Sequence, residues 1–125
     1  MPHSRQIGAE GEQMAAEFLT RLGYEIIDKN WTRRGAEIDL IARDGDCLVF
    51  VEVKYRLSDA YGDPLISMDN RKIARLAKSA ARYLAENDLT QVDCRFDVVA
   101  IRKIGAATEI EHVPNAFFPP EGAMP

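Results

Sequence analysis

The chain has 125 residues, of which 46% are hydrophobic and 29% are charged. These proportions are those of a soluble globular protein, and the length suits one domain with a substantial core. No apolar run approaches the roughly 20 residues of a membrane span, and the polar N-terminus lacks the apolar region of a signal peptide. We therefore expect a single domain over residues 1–125, located in the cytoplasm and away from membranes.

Net charge and cysteine content bear on two further protein classes. A net charge of −4 counts mildly against a nucleic-acid binder, although the distribution of charge matters more than its sum. Cys47 and Cys94 form no CxxC pair, and with only two histidines in the chain a zinc site is disfavoured. We expect both cysteines to be buried free thiols and give neither His3 nor His112 a catalytic role.

The first predicted element is a helix over residues 5–22, with Gly23 as the residue that ends it. Its apolar stripe consists of Ile7, Met14, Ala15, Phe18, Leu19 and Leu22. Glu12 lies at the edge of this stripe, so its carboxylate either points toward the sheet or stays partly exposed. For an arbitrary helix the exposed position is preferred.

Three strands are predicted to follow this helix. The first covers residues 24–28 and leads into a basic connection at residues 30–35, in which we expect Trp31 to close the core rather than to stack on a base. A hairpin then covers residues 37–54, because two apolar runs flank the strong turn signal Asp44-Gly45.

The hairpin's register determines which side chains meet. With Asp44 and Gly45 as the two loop residues, Arg43 pairs with Asp46 and Asp39 falls opposite Phe50. Directly opposite and diagonal residues on one face of an antiparallel pair are within side-chain reach. The register therefore predicts a contact across the hairpin between Asp39 and its diagonal neighbour.

That diagonal neighbour is Glu52, while Glu37 falls opposite Glu52 in the same register. Side chains alternate along a strand, so Lys54 shares the face of Glu52. Two carboxylates and a backbone carbonyl form a hard oxygen site suited to Mg²⁺, and a lysine beside them can orient a water or offset charge on a phosphate. The alternative is an amphipathic hairpin whose charges lie in solvent, and the residues alone leave the two equally weighted.

A second long helix is predicted over residues 69–87, after a loop at residues 55–69. Its buried stripe comprises Ile73, Leu76, Ala77, Ala80 and Leu84. Another face carries basic residues at helical spacing, which are Arg71, Arg75, Lys78 and Arg82, with Lys72 close by. Such a stripe either follows a phosphate backbone or is a solvated helix surface, and we weigh the two equally.

The chain is predicted to end with two strands and a tail. A buried strand at residues 95–101 follows the second helix, so parallel pairing with the strand before that helix gives a β-α-β unit. A last strand is predicted at residues 109–113. Residues 114–125, with several prolines, are expected to form a tail that lies on the surface or is partly disordered.

The element order α-β-β-β-α-β-β, with Asp…Glu-X-Lys on the second and third strands, resembles the core of PD-(D/E)XK nucleases. This is the restriction-endonuclease-like α/β fold, a central mixed β-sheet flanked by helices, which Holliday-junction resolvases share. The chain is identified more closely as resembling the YraN family of small bacterial proteins assigned to that fold. The matching residues are 8–12, 22–24, 30–31, 37–41, 49–54, 72 and 95–98, with Arg56.

The resemblance implies a role for each residue that matches the nuclease pattern. Asp39 and Glu52 would bind the metal, Mg²⁺ or Mn²⁺, with the carbonyl of Val53. Lys54 would position the attacking water. Glu12 matches the glutamate that resolvases add to the metal site from their first helix. One departure is Ile38, which stands where the family name has Pro, a variable position of the superfamily.

Three functions are compatible with these features. The first is a Mg²⁺-dependent endonuclease that hydrolyses phosphodiester bonds in structured or branched DNA. The second is a nucleic-acid-binding module that does not cut, or cuts only with a protein partner. The third is an interaction protein that has kept the fold and lost the chemistry. The residues expected to bind nucleic acid are Arg56, Arg71, Lys72, Arg75 and Lys78, and the resolvase resemblance also implies a homodimer.

Overall fold

The computed structural model describes residues 4–56 and 68–117, with the backbone alone for residues 4–7. Its elements are α1 (Ser4–Arg21), β1 (Glu25–Arg33), β2 (Ala36–Asp44), β3 (Cys47–Arg56), α2 (Asn70–Glu86), β4 (Cys94–Ile104) and β5 (Ala107–Val113). This order, α-β-β-β-α-β-β, is the predicted one. Most of the predicted loop at 55–69, and residues 118–125 of the predicted tail, lie outside the described residues.

The strands form a mixed sheet with the order β1-β2-β3-β4-β5 in the described part of the chain. The pairs β1–β2, β2–β3 and β4–β5 are antiparallel, whereas β3 and β4 are parallel. The parallel pair flanks α2 in the sequence, so the predicted β-α-β unit is confirmed. Neither of the helices that the structure describes is both long enough and apolar enough to cross a bilayer.

The two helices cover opposite faces of the sheet. Buried residues of α2, such as Leu76 and Ala80, pack with Phe50 and Phe96 of the sheet. Buried residues of α1, such as Leu19, pack with the residues of β2, β3 and β4 that point the other way. Strands covered on both faces read as continuous apolar runs, which is why Val49 to Val51 carries no polar residue.

The C-terminal end of α1 and the N-terminal end of α2 are each fixed by capping residues. Gly23 has φ of 98°, and the N–H groups of Gly23 and Tyr24 donate to the carbonyls of Thr20 and Leu19. This is a glycine-terminated C-cap, as predicted. Leu22 lies beyond the end of α1 and is 53% exposed, so its place in the apolar stripe of the helix was wrong. At the start of α2, Asp69 accepts a 2.9 Å hydrogen bond from the N–H of Lys72.

The β1–β2 region differs from its predicted layout. β1 continues to Arg33 and the turn falls at Arg34 and Gly35, so residues 30–33 belong to the strand rather than to a connection. Trp31 is 4% exposed and packs with the α2-side core, as predicted. The guanidinium of Arg33 lies over the Trp31 ring, with its Cζ 4.7 Å from the ring centroid, at the exposed edge of the sheet.

The predicted β2–β3 register was wrong by two residues. Asp44 pairs with Cys47, and the loop consists of Gly45 and Asp46. Gly45 has φ of 60°, a conformation that glycine adopts at little cost, so the turn centres one residue later than predicted. A shift of two in the pairing keeps every side chain on its predicted face, but Asp39 no longer lies opposite Phe50.

Candidate active site

The regular alternation of β2 breaks at Asp39. Ile38 and Ile41 both belong to the α2-side core, whereas Leu40 belongs to the α1-side core. Residues two apart on a regular strand share a face, so Ile38 and Leu40 could not otherwise lie on opposite faces. The irregularity therefore changes the direction in which the Asp39 side chain leaves the strand.

The neighbouring strands change at the same level. The β1–β2 ladder pairs Lys29 with Leu40 and Trp31 with Ile38 in the same register, but the intervening pair of Asn30 with Asp39 is missing, and Asn30 has φ of 51°. Asparagine tolerates this left-handed conformation better than most residues. On the other side, the β2–β3 ladder ends at Leu40, so β2 and β3 separate where Asp39 begins.

Asp39 uses this separation to reach across to β3. Its Oδ2 accepts a 2.9 Å hydrogen bond from the backbone N–H of Val53. In a continued ladder that N–H would face Ile38, so a side chain has replaced the backbone as its partner. The contact brings the carboxylate of Asp39 beside Glu52, the residue before Val53, and the two carboxyl groups are in hydrogen-bonding contact.

The pairing of these carboxyl groups changes their proton affinity. Burial raises the pKa of Asp39 to about 8, and the charge of Glu52 contributes to the rise, while the hydrogen bond from Val53 opposes it. Two carboxylates this close do not both ionise readily without a compensating cation. A shifted acid of this kind is typical of a functional site.

Glu12 approaches the pair from α1. It is partly buried, and its charge also contributes to the raised pKa of Asp39. Burial raises the pKa of Glu12 itself, with a contribution from Glu37. The helix comes close here because Gly11 is buried against β3: a Cβ at this position would lie 3.0 Å from Cβ and Cδ2 of Tyr55. Glu12 is thus on the sheet side of α1.

Lys54 is the next residue after Glu52 on the same face of β3. It is 5% exposed and lies near Lys72 in the first turn of α2. Burial lowers the pKa of Lys54, and the charge of Lys72 lowers it further, while Glu52 acts in the opposite direction. The structure therefore places Lys54 close to both Glu52 and Lys72 of α2.

The oxygen donors at this site match a hard divalent cation. Asp39 and Glu52 would supply carboxylates to such a cation, and Val53 would supply a backbone carbonyl. Within residues 4–56 and 68–117, no three His, Cys, Asp or Glu side chains form a ready-made metal site. A cation here would keep several waters, as Mg²⁺ usually does when one or two carboxylates bind it.

The basic residues of α2 divide into two groups. Arg82 donates to Glu86 and to the carbonyl of Arg34, and Arg33 also pairs with Glu86. The other residues, Arg71, Arg75 and Lys78, are exposed and make no ion pair with the described residues. Lys72 lies between them and Lys54, while Arg56 is partly buried at the end of β3.

A second polar cluster, on the α1 side of the sheet, was not predicted. Asp97 is fully buried and accepts hydrogen bonds from Arg95 at 3.0 Å and from the N–H of Asn115 at 2.9 Å. His112 Nε2 lies 2.8 Å from its other oxygen. The Arg-X-Asp spacing on β4 was the available signal, because alternate residues of a strand share a face.

Arg95 extends this cluster to two turns. Its guanidinium donates to Asp44 beside the β2–β3 loop at 2.9 Å and to the hydroxyl of Tyr24 after α1. The cluster therefore joins five parts of the fold, which are the residue before β1, β2, β4, β5 and the segment after β5. It also holds residues 114–117, where Phe117 stacks on Phe96 at 5.3 Å, so this part of the predicted tail is packed on the sheet.

The cysteines and His112 take no part in the candidate site. Cys47 and Cys94 are free and half-buried, so the predicted free thiols are confirmed but are less buried than expected. They pack against opposite cores of the sheet. His112 serves the Asp97 cluster, on the other face from Lys54.

The chain matches a known family over most of its length. The model of "Uncharacterised protein family UPF0102" matches residues 11–101. A UPF0102 protein of Geobacter metallireducens is 42% identical over 115 residues, covering 92% of this chain and 94% of its own. One of Rhodococcus opacus is 47% identical over 118 residues, covering 94% of this chain and its own full length. The chain therefore belongs to the UPF0102 family, the YraN family that its sequence resembles.

Proposed function

We propose that this protein is a Mg²⁺- or Mn²⁺-dependent endonuclease that hydrolyses phosphodiester bonds in DNA. The observation that carries the proposal is the contact between the carboxyl groups of Asp39 and Glu52, with the pKa of Asp39 raised to about 8. Burying like charges together is unfavourable unless a cation or a function compensates it. The family's matching Asp…Glu-X-Lys pattern supports the nuclease assignment over other uses of such a pair.

Each residue of the site has a distinct task in this proposal. Asp39 and Glu52 hold the cation together with the carbonyl of Val53, and Glu12 adds negative charge from α1. When bound, the cation lowers the pKa of a coordinated water and offsets charge on the phosphate. Lys54 orients a water or stabilises charge on the same phosphate. Its burial limits the directions in which the ammonium group can point.

The basic surface of α2 supports DNA as the substrate. Arg71, Arg75 and Lys78 are exposed, and they continue along the helix from Lys72, which lies near Lys54. Phosphate contacts of this kind supply affinity without sequence preference. We therefore propose structured or branched DNA as the substrate class, with α2 positioning the backbone and a homodimer or a protein partner extending the contact surface.

A non-cutting nucleic-acid-binding module is the second candidate function. Two observations favour it. The basic residues of α2 could bind a phosphate backbone without any help from the acidic pair. In addition, the described residues contain no ready-made group of three metal-binding side chains. In that case the protein binds DNA with a strong salt dependence. The acidic pair then serves a partner-dependent reaction or none.

A cleavage panel separates the two candidates. Labelled linear duplex, single strand, flap and four-way junction are incubated with the purified protein in Mg²⁺, Mn²⁺ or EDTA. Glu52→Gln runs beside the wild type, since it removes one charge with little change of shape. Cutting that requires metal and disappears in the variant supports the endonuclease. Binding without cutting by both proteins supports the module instead.

A further inference from the structure

Asp39 has no paired residue on either side in the described sheet. The β2–β3 ladder ends at Leu40, and the β1–β2 ladder lacks the pair of Asn30 with Asp39. The carboxylate nevertheless accepts its hydrogen bond from the N–H of Val53. The residues that flank Asp39 on β2 must therefore fix where its side chain begins, because the strand pairing does not.

A buried serine of α2 holds the flank that precedes Asp39. The N–H of Glu37 donates a 3.2 Å hydrogen bond to the hydroxyl of Ser79, and Ser79 is 4% exposed. Ile38, the next residue of β2, is 1% exposed and belongs to the same core as Leu76 of α2. The two residues before Asp39 are thus held to α2 by one hydrogen bond and by apolar packing.

Two other contacts join α2 to the β1–β2 hairpin, and both are exposed. Arg82 donates to the carbonyl of Arg34, and Glu86 pairs with Arg33. Exposed ion pairs contribute little to stability, whereas a hydrogen bond with a buried partner is costly to break. The Ser79 contact is therefore the one best suited to hold the hairpin in a fixed position.

We propose that Ser79 is a positioning residue, which holds β2 where it separates from β3 and thereby directs the Asp39 side chain toward Val53. Strand β1 also pairs with Glu37 and Ile38, but it is the outer strand of the described sheet and has no pair at Asp39. This role rests on the proposed function in one respect, which is that Asp39 then binds the cation.

The test uses two variants of Ser79 that have the same branched shape. Ser79→Thr keeps a hydroxyl at this position, and Ser79→Val carries a methyl group in place of that hydroxyl. Crowding in the core affects both variants alike, so a difference between them reports the hydroxyl. Amide hydrogen exchange is measured by NMR in EDTA at Glu37 and Val53. The reference amide is that of Val51, which is paired on both sides.

The expected result is faster exchange at two separate amides of Ser79→Val. The amide of Glu37 loses its acceptor directly, and the amide of Val53 loses protection because Asp39 is no longer held in place. Relative to Val51, each rate should rise about tenfold, the equivalent of one hydrogen bond. Ser79→Thr should match the wild type at both amides.

Three outcomes of the exchange experiment would overturn the proposal. Faster exchange at Glu37 alone would make Ser79 a local structural contact that does not act on Asp39. An equal rise at Glu37, Val53 and Val51 would show a general loss of stability. The same rise in Ser79→Thr as in Ser79→Val would show that the hydroxyl is not the cause.

A Mn²⁺ titration of each protein by calorimetry relates this role to the proposed function. If Asp39 binds the cation, Ser79→Val should bind Mn²⁺ about tenfold more weakly than Ser79→Thr. Its duplex affinity in EDTA should be unchanged, because the basic residues of α2 are intact. Lys103→Gln is the control with unchanged Mn²⁺ affinity, because Lys103 follows the alternation of Ile101, which packs on the α1 side of the sheet.

The failure of one inference can be told from the failure of the other. Faster exchange at Val53 in Ser79→Val, in a protein whose wild type binds no Mn²⁺ and cuts no DNA, supports the positioning role while the endonuclease proposal fails. Unchanged exchange at Val53, with metal-dependent cleavage by the wild type, overturns the positioning role and leaves the endonuclease standing.

Discussion

The carboxylate of Asp39 accepts a 2.9 Å hydrogen bond from the backbone N–H of Val53, in place of the strand partner that this N–H would have in a continued ladder. The acidic side chain is therefore part of the sheet's hydrogen bonding as well as of the candidate site. Because Glu52 directly precedes Val53, the same contact brings the second carboxyl group into reach. The charge of Asp39 therefore affects both the candidate site and the stability of the sheet.

The first prediction is that metal-free protein loses stability as pH rises from about 4 to about 8. The folded pKa of Asp39 is about 8, above the unfolded value of about 3.9, so the folded state binds the extra proton in this interval. The contribution of this proton to the free energy of unfolding is complete below pH 4 and is lost as pH rises through 8. We expect a loss on the order of a few kcal/mol by urea unfolding in EDTA.

The matched variant for this prediction is Asp39→Asn. An amide keeps an acceptor for the N–H of Val53 and removes the charge, so unfolding free energy at pH 8 should rise and its fall with pH should become smaller. Glu111→Gln, at an exposed position of β5, serves as the control and should follow the wild type. The prediction would be wrong if Asp39→Asn and wild type showed the same pH dependence.

The second prediction concerns the stabilisation by divalent cations. A cation that binds only the folded state at one hundred times its Kd adds about 2.7 kcal/mol, and here it also relieves repulsion between Asp39 and Glu52. Mn²⁺ or Mg²⁺ should therefore raise the Tm of the wild type at pH 8 and raise that of Asp39→Asn much less. Equal shifts in the two proteins would place the bound cation elsewhere.

The sequence allowed the elements and their order to be predicted, because the apolar periods of α1, α2 and the strands are clear. It did not allow the geometry around Asp39 to be predicted. The β2–β3 pairing is shifted by two residues, because the left-handed conformation falls on Gly45. The break of alternation at Asp39 coincides with the missing pair of Asn30 with Asp39 in the β1–β2 ladder, which a residue-by-residue pattern does not contain.

The third prediction tests how the packing of α1 positions Glu12. Gly11→Ala would place a Cβ 3.0 Å from two side-chain atoms of Tyr55, so either Tyr55 or α1, which carries Glu12, must shift. At Gly8 a Cβ meets nothing within 4 Å. Alanine there should raise stability by about 0.5–1 kcal/mol through helix propensity alone.

We therefore expect Gly11→Ala to be less stable than Gly8→Ala by about 1–3 kcal/mol, the usual cost of overpacking. It should also lower the rate of DNA cleavage, whereas Gly8→Ala should leave that rate unchanged. Urea unfolding and a cleavage time course measure the two effects. Equal stability and equal rates in the two variants would show that the Gly11–Tyr55 approach does not position the site.

The fourth prediction concerns the buried Asp97 cluster. Asp97→Ala leaves Arg95, His112 and the N–H of Asn115 without their shared acceptor. Removing one partner of a buried charged network costs about 3–5 kcal/mol, so the Tm of the variant should fall steeply. Metal affinity of the folded fraction should stay within a factor of two of wild type, since the cluster lies on the other face. A stable variant without metal affinity would contradict this separation.

Asp97 also shows what a sequence pattern misses. Arg95, Asp97 and His112 are each ordinary strand residues in the sequence, and their meeting depends on the β4–β5 register, which pairs His112 with Val99. The Arg-X-Asp spacing indicated that Arg95 and Asp97 share a face, but the contact of Asp97 with His112 could be found only after the strand pairing was known. By contrast, the prediction that Lys54 shares a face with Glu52 came from alternation along one strand, which requires no knowledge of strand pairing.

The fifth prediction separates the two groups of basic residues on α2. Arg75→Ala with Lys78→Ala should reduce the salt slope of DNA binding by about 2, or about 0.9 for each phosphate contact. Arg82→Ala should change it less, because Glu86 already neutralises Arg82. Fluorescence anisotropy over a salt series measures both variants. An equal or larger effect of Arg82→Ala would contradict the assignment of the DNA-binding surface.

The most direct test of the central claim is single-turnover cleavage of the DNA that the wild type cuts best. Wild type, Glu52→Gln and Lys103→Gln are compared in Mn²⁺, with EDTA as the blank. The proposed site predicts that Glu52→Gln loses at least a hundredfold in rate, since metal-dependent chemistry depends on that carboxylate, while Lys103→Gln cuts normally. Cleavage by Glu52→Gln at the wild-type rate would contradict the site.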